Sequence, residues 1–357
     1  MTYLLLSLAC TDMGNDGYQR DTGVPYFPSG ETDADTDTDT DTDTDTDTDT
    51  DTDTDTDTDT DTTFDCKTGL PAFPPYDGRE IEDTNTAEDL DIDNEGYIIG
   101  SDRLNLYRAN VDGDSDMIMP NVGNPQMIVV MPSDDILIYE ESCQLERLDP
   151  SGDRSLVATN LYLPYGDSNP EGIVYASNPD FWCGTDGHNS IVKIDPFENE
   201  VEEILEWDDD YPWGITFNED YTALYVSVVQ GFDAYMSGPS RIYKLNLDKD
   251  GDIDGDPELF VEFDGESYWT EGLAVDVCGN VYASLGTKVV RVMKDSKTVE
   301  TIWEDDEGSH WGGRAISGLS FGRKGEGGTD PLKLYASNPY AKFAIEIDAG
   351  VYGKSGW

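Results

Sequence analysis

Histidine is nearly absent from this chain, with 2 in 357 residues, and basic residues are scarce. Lys and Arg number 21 against 77 Asp and Glu, a formal net charge of −56. So acidic a protein repels phosphate backbones and anionic headgroups, which excludes nucleic acid and suits cations or neutral ligands. Cysteines are few and scattered. Cys10, Cys66, Cys143, Cys183 and Cys278 form no CxxC pair, which with two histidines argues against a zinc site. No internal stretch is long and apolar enough to span a bilayer. No segment sustains helical periodicity. There is no Gly-x-Ser-x-Gly elbow, phosphate loop or Cys–His pairing signature.

What is present begins with Tyr3-Leu4-Leu5-Leu6-Ser7-Leu8-Ala9-Cys10. This apolar run ending in Ala-Cys resembles the end of a bacterial lipoprotein signal, although no basic residue precedes it. The expectation is an exported outer-membrane or cell-surface lipoprotein whose sole membrane contact is lipid at Cys10. An oxidising compartment would leave four cysteines to pair, in any of three ways.

Residues 1–10 are thus read as signal and 11–62 as a disordered acidic linker. From Asp33 to Asp61 acid and small residue alternate, giving 15 Asp and no base. A strand would place every Asp on one face, within a Debye length of about 8 Å, so the tract is expected to stay solvated and extended. Its reach is at most about 100 Å. Without those 15 Asp the remaining chain still carries −41 of the −56. Residues 63–357 are long enough for one barrel, sandwich or propeller domain.

A pattern then recurs at long period: a small or acidic residue with Gly, an aliphatic, a turn, and two further short apolar strands. The first-strand aliphatics are assigned as Leu90, Ile128, Ile173, Ile215, Leu273 and Leu319. Second strands follow at Tyr97–Ile99, Ile136–Tyr139, Phe181–Cys183, Leu224–Val226, Val281–Ala283 and Leu334–Ala336. Turns are marked by Asp-Asn-Glu-Gly at 93–96 and Cys-Gly-Asn at 278–280. Six four-stranded units predict an all-β, six-bladed β-propeller. The last unit ends early, so its outer strand is expected from Arg79-Glu80-Ile81, closing the ring.

Pro170-Glu171-Gly172, Pro212-Trp213-Gly214-Ile215 and Thr270-Glu271-Gly272-Leu273 resemble the third, fourth and fifth blades of the senescence-marker-protein (regucalcin)/gluconolactonase family. The resemblance covers about residues 85–350 and implies a divalent cation at the mouth of the central channel. In that family the ligands come from the first, fourth and fifth blades. The matching positions here are Glu88, Trp213 and Glu271, with Glu171 where a substrate-binding Asn belongs. Trp213 stands in place of an Asn ligand and Glu271 in place of an Asp. The implied reading is Ca²⁺ held by Glu88, Glu171 and Glu271, with Glu271 or Glu171 as catalytic base of a lactone or sugar-ester hydrolase. The alternative is a non-catalytic surface propeller, in which Trp213 stacks on a sugar or flat ligand.

Three further features are candidates. His188 and His310 can serve as a general base, His188 also as a ligand contact. Asp250, Asp252 and Asp254 have the spacing of a calcium loop but lack its twelfth-position Glu. Asp112-Gly-Asp114-Ser-Asp116 is a weaker version. The expected protein is a monomer with a small-molecule or sugar ligand.

Overall fold

The computed structural model describes residue 66 and residues 78–180, 183, 188–207, 210–230, 239–263, 270–305, 316–339 and 342–354. The expected signal, Cys10, the Asp-Thr tract, His310, Phe181 and Trp182 lie outside the described residues. Among the described residues there are 24 strands and no helix.

The first strand of the described residues is β1 (Arg79–Ile81), and six sheets follow. Blade one holds β2 (Leu90–Ile92), β3 (Ile98–Ser101), β4 (Leu106–Ala109) and β5 (Ser115–Met119). Blade two holds β6 (Pro125–Val130), β7 (Ile136–Glu140), β8 (Gln144–Leu148) and β9 (Arg154–Thr159). Blade three holds β10 (Gly166–Ser168), β11 (Val174–Asn178), β12 (Asn189–Asp195) and β13 (Glu200–Trp207). Blade four holds β14 (Asp210–Phe217), β15 (Ala223–Gln230), β16 (Arg241–Asn246) and β17 (Glu258–Glu262). Blade five holds β18 (Leu273–Val275), β19 (Val281–Leu285), β20 (Lys288–Val292) and β21 (Val299–Glu304). Blade six holds β22 (Leu319–Phe321), β23 (Lys333–Ala336) and β24 (Ala344–Asp348). Each sheet is an antiparallel meander, and β1 completes the sixth by pairing with β24, Ile81 opposite Ala344. The expected closure is therefore what the chain does. Consecutive inner strands touch around the whole ring, β22 meeting β2.

Burial follows position in the blade. The second strands β7, β11 and β19 are buried at every residue, because blades cover them on both faces. The outer strand β13, Glu-Val-Glu-Glu-Ile-Leu-Glu-Trp, is mostly exposed or half-buried and carries the acids. Inner strands present an unpaired edge to the channel, and carboxylates of the preceding blade satisfy it. Asp89 accepts the Ile128 N–H at 2.9 Å, Asp91 that of Val130 at 2.8 Å, and Asp167 that of Phe217 at 2.9 Å.

Blade three corrects the sequence reading by one strand. Ile173 and Glu171 were expected to begin the inner strand, but the inner strand is β10 and Asn169-Pro170-Glu171-Gly172 is the turn after it. Asn169 Oδ1 accepts the N–H groups of Glu171 and Ile173 at 3.1 and 2.9 Å, and Gly172 sits at φ +83°. Asp93 and Asp276 build the same turn in blades one and five.

Candidate functional site

All six inner strands start at one end of the channel, here the upper mouth, and their first turns lie at the other, the lower mouth. The residue two positions before Leu90, Ile215, Leu273 and Leu319 stands at the upper mouth: Glu88, Trp213, Glu271 and Ser317. Serines on, or one residue past, the second strands hold these starts in place. Ser227 accepts the Gly214 N–H at 2.7 Å and donates to the carbonyl of Thr270 at 2.6 Å. Ser337 does the same for Gly318 and Glu88, at 2.8 and 2.9 Å. Ser284 accepts from Glu271 and Gly272 at 3.1 and 2.9 Å. The residue after each hub position is Gly at 214, 272 and 318 because the next blade's backbone, or Asp89, occupies the space a Cβ would need.

Glu271 is the best-built acid of the mouth. Its Oε2 receives a short hydrogen bond from the Ser317 hydroxyl and a second from the Tyr165 hydroxyl at 3.2 Å, while Tyr165 also lies 3.1 Å from Ser317 Oγ. Burial pushes the carboxyl up to about 7; the two hydrogen bonds oppose the rise and the nearby Glu88 charge adds to it. Tyr165 reaches from blade three to blades five and six, so its side chain crosses the channel as a bar.

Glu88 is already paired. Arg103 Nη2 lies 2.7 Å from its Oε1 and also donates to the Pro339 carbonyl. Burial raises the Glu88 carboxyl, with Arg103 opposing. Trp213 takes its hub position with the ring turned into the core. It is 5% exposed and lies 6.0 Å from Tyr162, which lies 5.9 Å from Tyr139.

The remaining expected residues do not join this mouth. Glu171 is exposed on the blade-three turn, at the opposite end of the inner strand. His188 Nε2 contacts Glu203 on the outer strand β13 at 2.8 Å. Asp250, Asp252 and Asp254 lie on the hairpin between β16 and β17, where Asp248 Oδ1 accepts the N–H groups of Asp250 and Asp252 at 2.8 and 3.0 Å. Lys249 and Lys193 pair with Asp250 and Asp252. Asn110 and Asp149 cap the equivalent hairpins of blades one and two the same way, so the calcium-like spacing is that of a recurring turn. Among the described residues no group of three or more His, Cys, Asp or Glu is arranged to hold a metal ion.

Ser317, Tyr165 and Arg103 are the site residues that sequence reasoning missed. Ser317-Gly318-Leu319 parallels Glu271-Gly272-Leu273, and that alignment could have placed Ser317 at the hub. Tyr165 was hidden by the blade-three slip. Arg103 carries no sequence signal; it sits in a tight turn at φ +74°.

No protein-family model matches the sequence, and no curated protein matches it. Solved structures do match in fold. A gluconolactonase from Xanthomonas campestris aligns over 78% of this chain and 96% of its own, at 15% identity and TM-score 0.59. A calcium-binding regucalcin from Agrobacterium tumefaciens aligns over 81% and 98%, at 17% identity and TM-score 0.59. A luciferin-regenerating enzyme aligns over 78% and 98%, at 13% identity and TM-score 0.58. These neighbours bear out the expected fold and the likeness to gluconolactonase and regucalcin propellers. The donor set for a resident cation does not fit here: Trp213 offers no oxygen, Glu88 is held by Arg103, Glu271 by Ser317 and Tyr165, and Glu171 lies at the other end.

Proposed function

We propose that the upper mouth is the acid–base site of a lactonase-like hydrolase acting on a small neutral lactone or sugar ester. The observation that carries this reading is Glu271, a carboxyl raised to about 7 with a serine and a tyrosine hydroxyl on its Oε2. A base of that strength is half ionised at neutral pH, where proton transfer is most effective. Ionised Glu271 takes a proton from water as its oxygen bonds to the ester carbonyl carbon. The tetrahedral intermediate then breaks its ring C–O bond, and Glu271 returns the proton to the departing alkoxide. Ser317 and Tyr165 hold the carboxylate in place, and the Arg103–Glu88 pair puts a cationic donor at the same mouth. Calcium is described for a neighbour of the same fold, but here Glu88, Glu171 and Glu271 do not converge on one point.

Glucono-δ-lactone hydrolysis followed by proton release tests this reading. The enzymatic rate should rise with pH through an inflection near 7, and calcium should leave it unchanged. Glu271→Gln should lower it by about 10²–10⁴-fold, the usual worth of a general base. A wild-type rate no faster than buffer would refute the hydrolase and favour a non-catalytic binding propeller. That second reading rests on Trp213, a core residue where the resemblance places a ligand to the metal.

Export, anchoring through Cys10 and a monomeric state belong to the same proposal. Two disulfides support it, Cys66–Cys278 and Cys143–Cys183. They use four of five cysteines, suit an oxidising compartment, and leave Cys10 for lipid.

A further inference from the structure

Below the Tyr165 bar the channel widens into a cavity of about 500 Å³ that extends to the lower mouth. Tyr165, Asp89 and Gly272 line its upper end, and neither Glu271 nor Ser317 lines it. Its walls are mixed. Leu90, Ile128, Ile215 and Leu273 give apolar surface, and Asp91, Ser320 and Thr216 give polar groups partway down.

The cavity gathers basic side chains toward the lower mouth, alongside the acids Asp91 and Asp167. Arg323, Lys324 and Lys354 all line it, three of the 21 basic residues in the chain. Lys354 is placed there by the C-terminal segment: its N–H donates to Val275 O at 2.8 Å, and the Val277 N–H donates to Tyr352 O at 3.0 Å. Its side chain is 16% exposed, and its ammonium bonds Asp167 and, at 3.2 Å, Thr216. Two hydrogen bonds leave one ammonium proton for a ligand. Arg323 Nη1 lies 2.5 Å from Asn94 Oδ1, and its charge opposes the burial that raises the Asp91 carboxyl. Asp91 Oδ1 takes the Ser320 hydroxyl at 2.8 Å and the Ile92 N–H at 2.8 Å, which leaves the Ser320 oxygen able to accept.

We propose that this lower cavity is a second binding site, distinct from the hydrolytic mouth, for a small polyhydroxylated carboxylate of the sugar-acid class. The carboxylate meets Lys354 and Arg323 at the mouth. The hydroxyls bond Asp91, Ser320 and Thr216 inside, and the carbon chain lies against the leucine and isoleucine walls. Three cations on one cavity attract such an anion despite the net charge of the molecule and the acids Asp91 and Asp167 beside them. A neutral sugar lacks the charge for the mouth, and a plain fatty carboxylate lacks the hydroxyls for the interior.

Calorimetric titration of the full chain with D-gluconate tests the site, with D-glucose and propionate as controls. The expected result is saturable 1:1 binding of gluconate, at least tenfold tighter than either control. Lys354→Met and Arg323→Gln should each weaken it tenfold or more. Lys354→Met leaves Asp167 without its cation, so Lys354→Met with Asp167→Asn is measured alongside and should bind as weakly while melting like the wild type. Gluconate binding no tighter than glucose, or wild-type affinity in both cation variants, overturns the proposal. Because the readout is binding, a chain that hydrolyses no lactone yet takes gluconate at Lys354 sinks the hydrolase and leaves this site standing.

Discussion

Glu271 is a carboxyl that folding makes a weaker acid, and the sign of that change has a consequence for stability. Its value rises from 4.5 to about 7, so the folded protein holds the proton more tightly than the unfolded chain. The stability this gives is complete below pH 4.5 and lost as the pH rises through about 7. Such a shift is worth at most about 3 kcal/mol. Glu88, Asp89 and Asp91 are raised in the same direction, each chiefly by burial. Urea unfolding at pH 5 and pH 8 should therefore show the wild type losing stability with pH, and Glu271→Gln losing about 2–3 kcal/mol less. Equal losses would assign the slope to the other channel acids. At this scale the sequence was half legible. A Glu two residues before the first aliphatic of an inner strand points to the hub, and Glu88 and Glu271 are there. What holds them, Ser317 from the next blade and Arg103 from a turn, is set by ring closure and backbone geometry that no local pattern encodes.

Strand β1 is three residues long, yet it closes the ring. Ile81 is 3% exposed and packs with Leu90, Ile92, Ile98, Tyr335 and Ala344, so it joins blades one and six. Arg79 adds a pair with Glu346 at 3.1 Å, which Lys333 also contacts at 2.7 Å. Ile81→Ala should cost about 2–4 kcal/mol through the cavity it leaves. Glu80→Ala, on the exposed face, should stay within about 0.5 kcal/mol. Equilibrium unfolding checks both, and similar midpoints for the two variants would show that β1 contributes little. Strands were the most legible level, since short continuous apolar runs recur with turns between them. Blade three failed because Asn169-Pro170-Glu171-Gly172 and Asp93-Asn94-Glu95-Gly96 are the same turn, and only the second was taken as one. Its inner strand, Gly166-Asp167-Ser168, is short and carries no aliphatic residue.

For the whole molecule, the acidic composition proves to be partly architectural. Asp89, Asp91 and Asp167 satisfy inner-strand N–H groups, and Asp93, Asp149, Asp248 and Asp276 cap hairpins. Disulfides add a constraint from outside the sheets. Cys66–Cys278 spans 212 residues, and closing so long a loop stabilises by on the order of 2–5 kcal/mol. Expressed with its own N-terminus in a bacterial host, the chain should incorporate labelled palmitate, and Cys10→Ser should abolish the label. Alkylation of the denatured product should find no thiol at Cys66, Cys143, Cys183 or Cys278. Unlabelled protein with four reactive thiols would place it in the cytoplasm.

The bond between Cys66 and Cys278 also decides where a pulling force enters the molecule. Cys278 sits on the first turn of blade five, ahead of β19, whose five residues are all buried. Tension on the chain ahead of Cys66 passes through sulfur into that blade and bypasses β1. With the bond reduced, the same tension falls on the three residues of β1 paired with β24. Oxidised, the propeller resists being unwound from its N-terminal end; reduced, it opens at its closing strand.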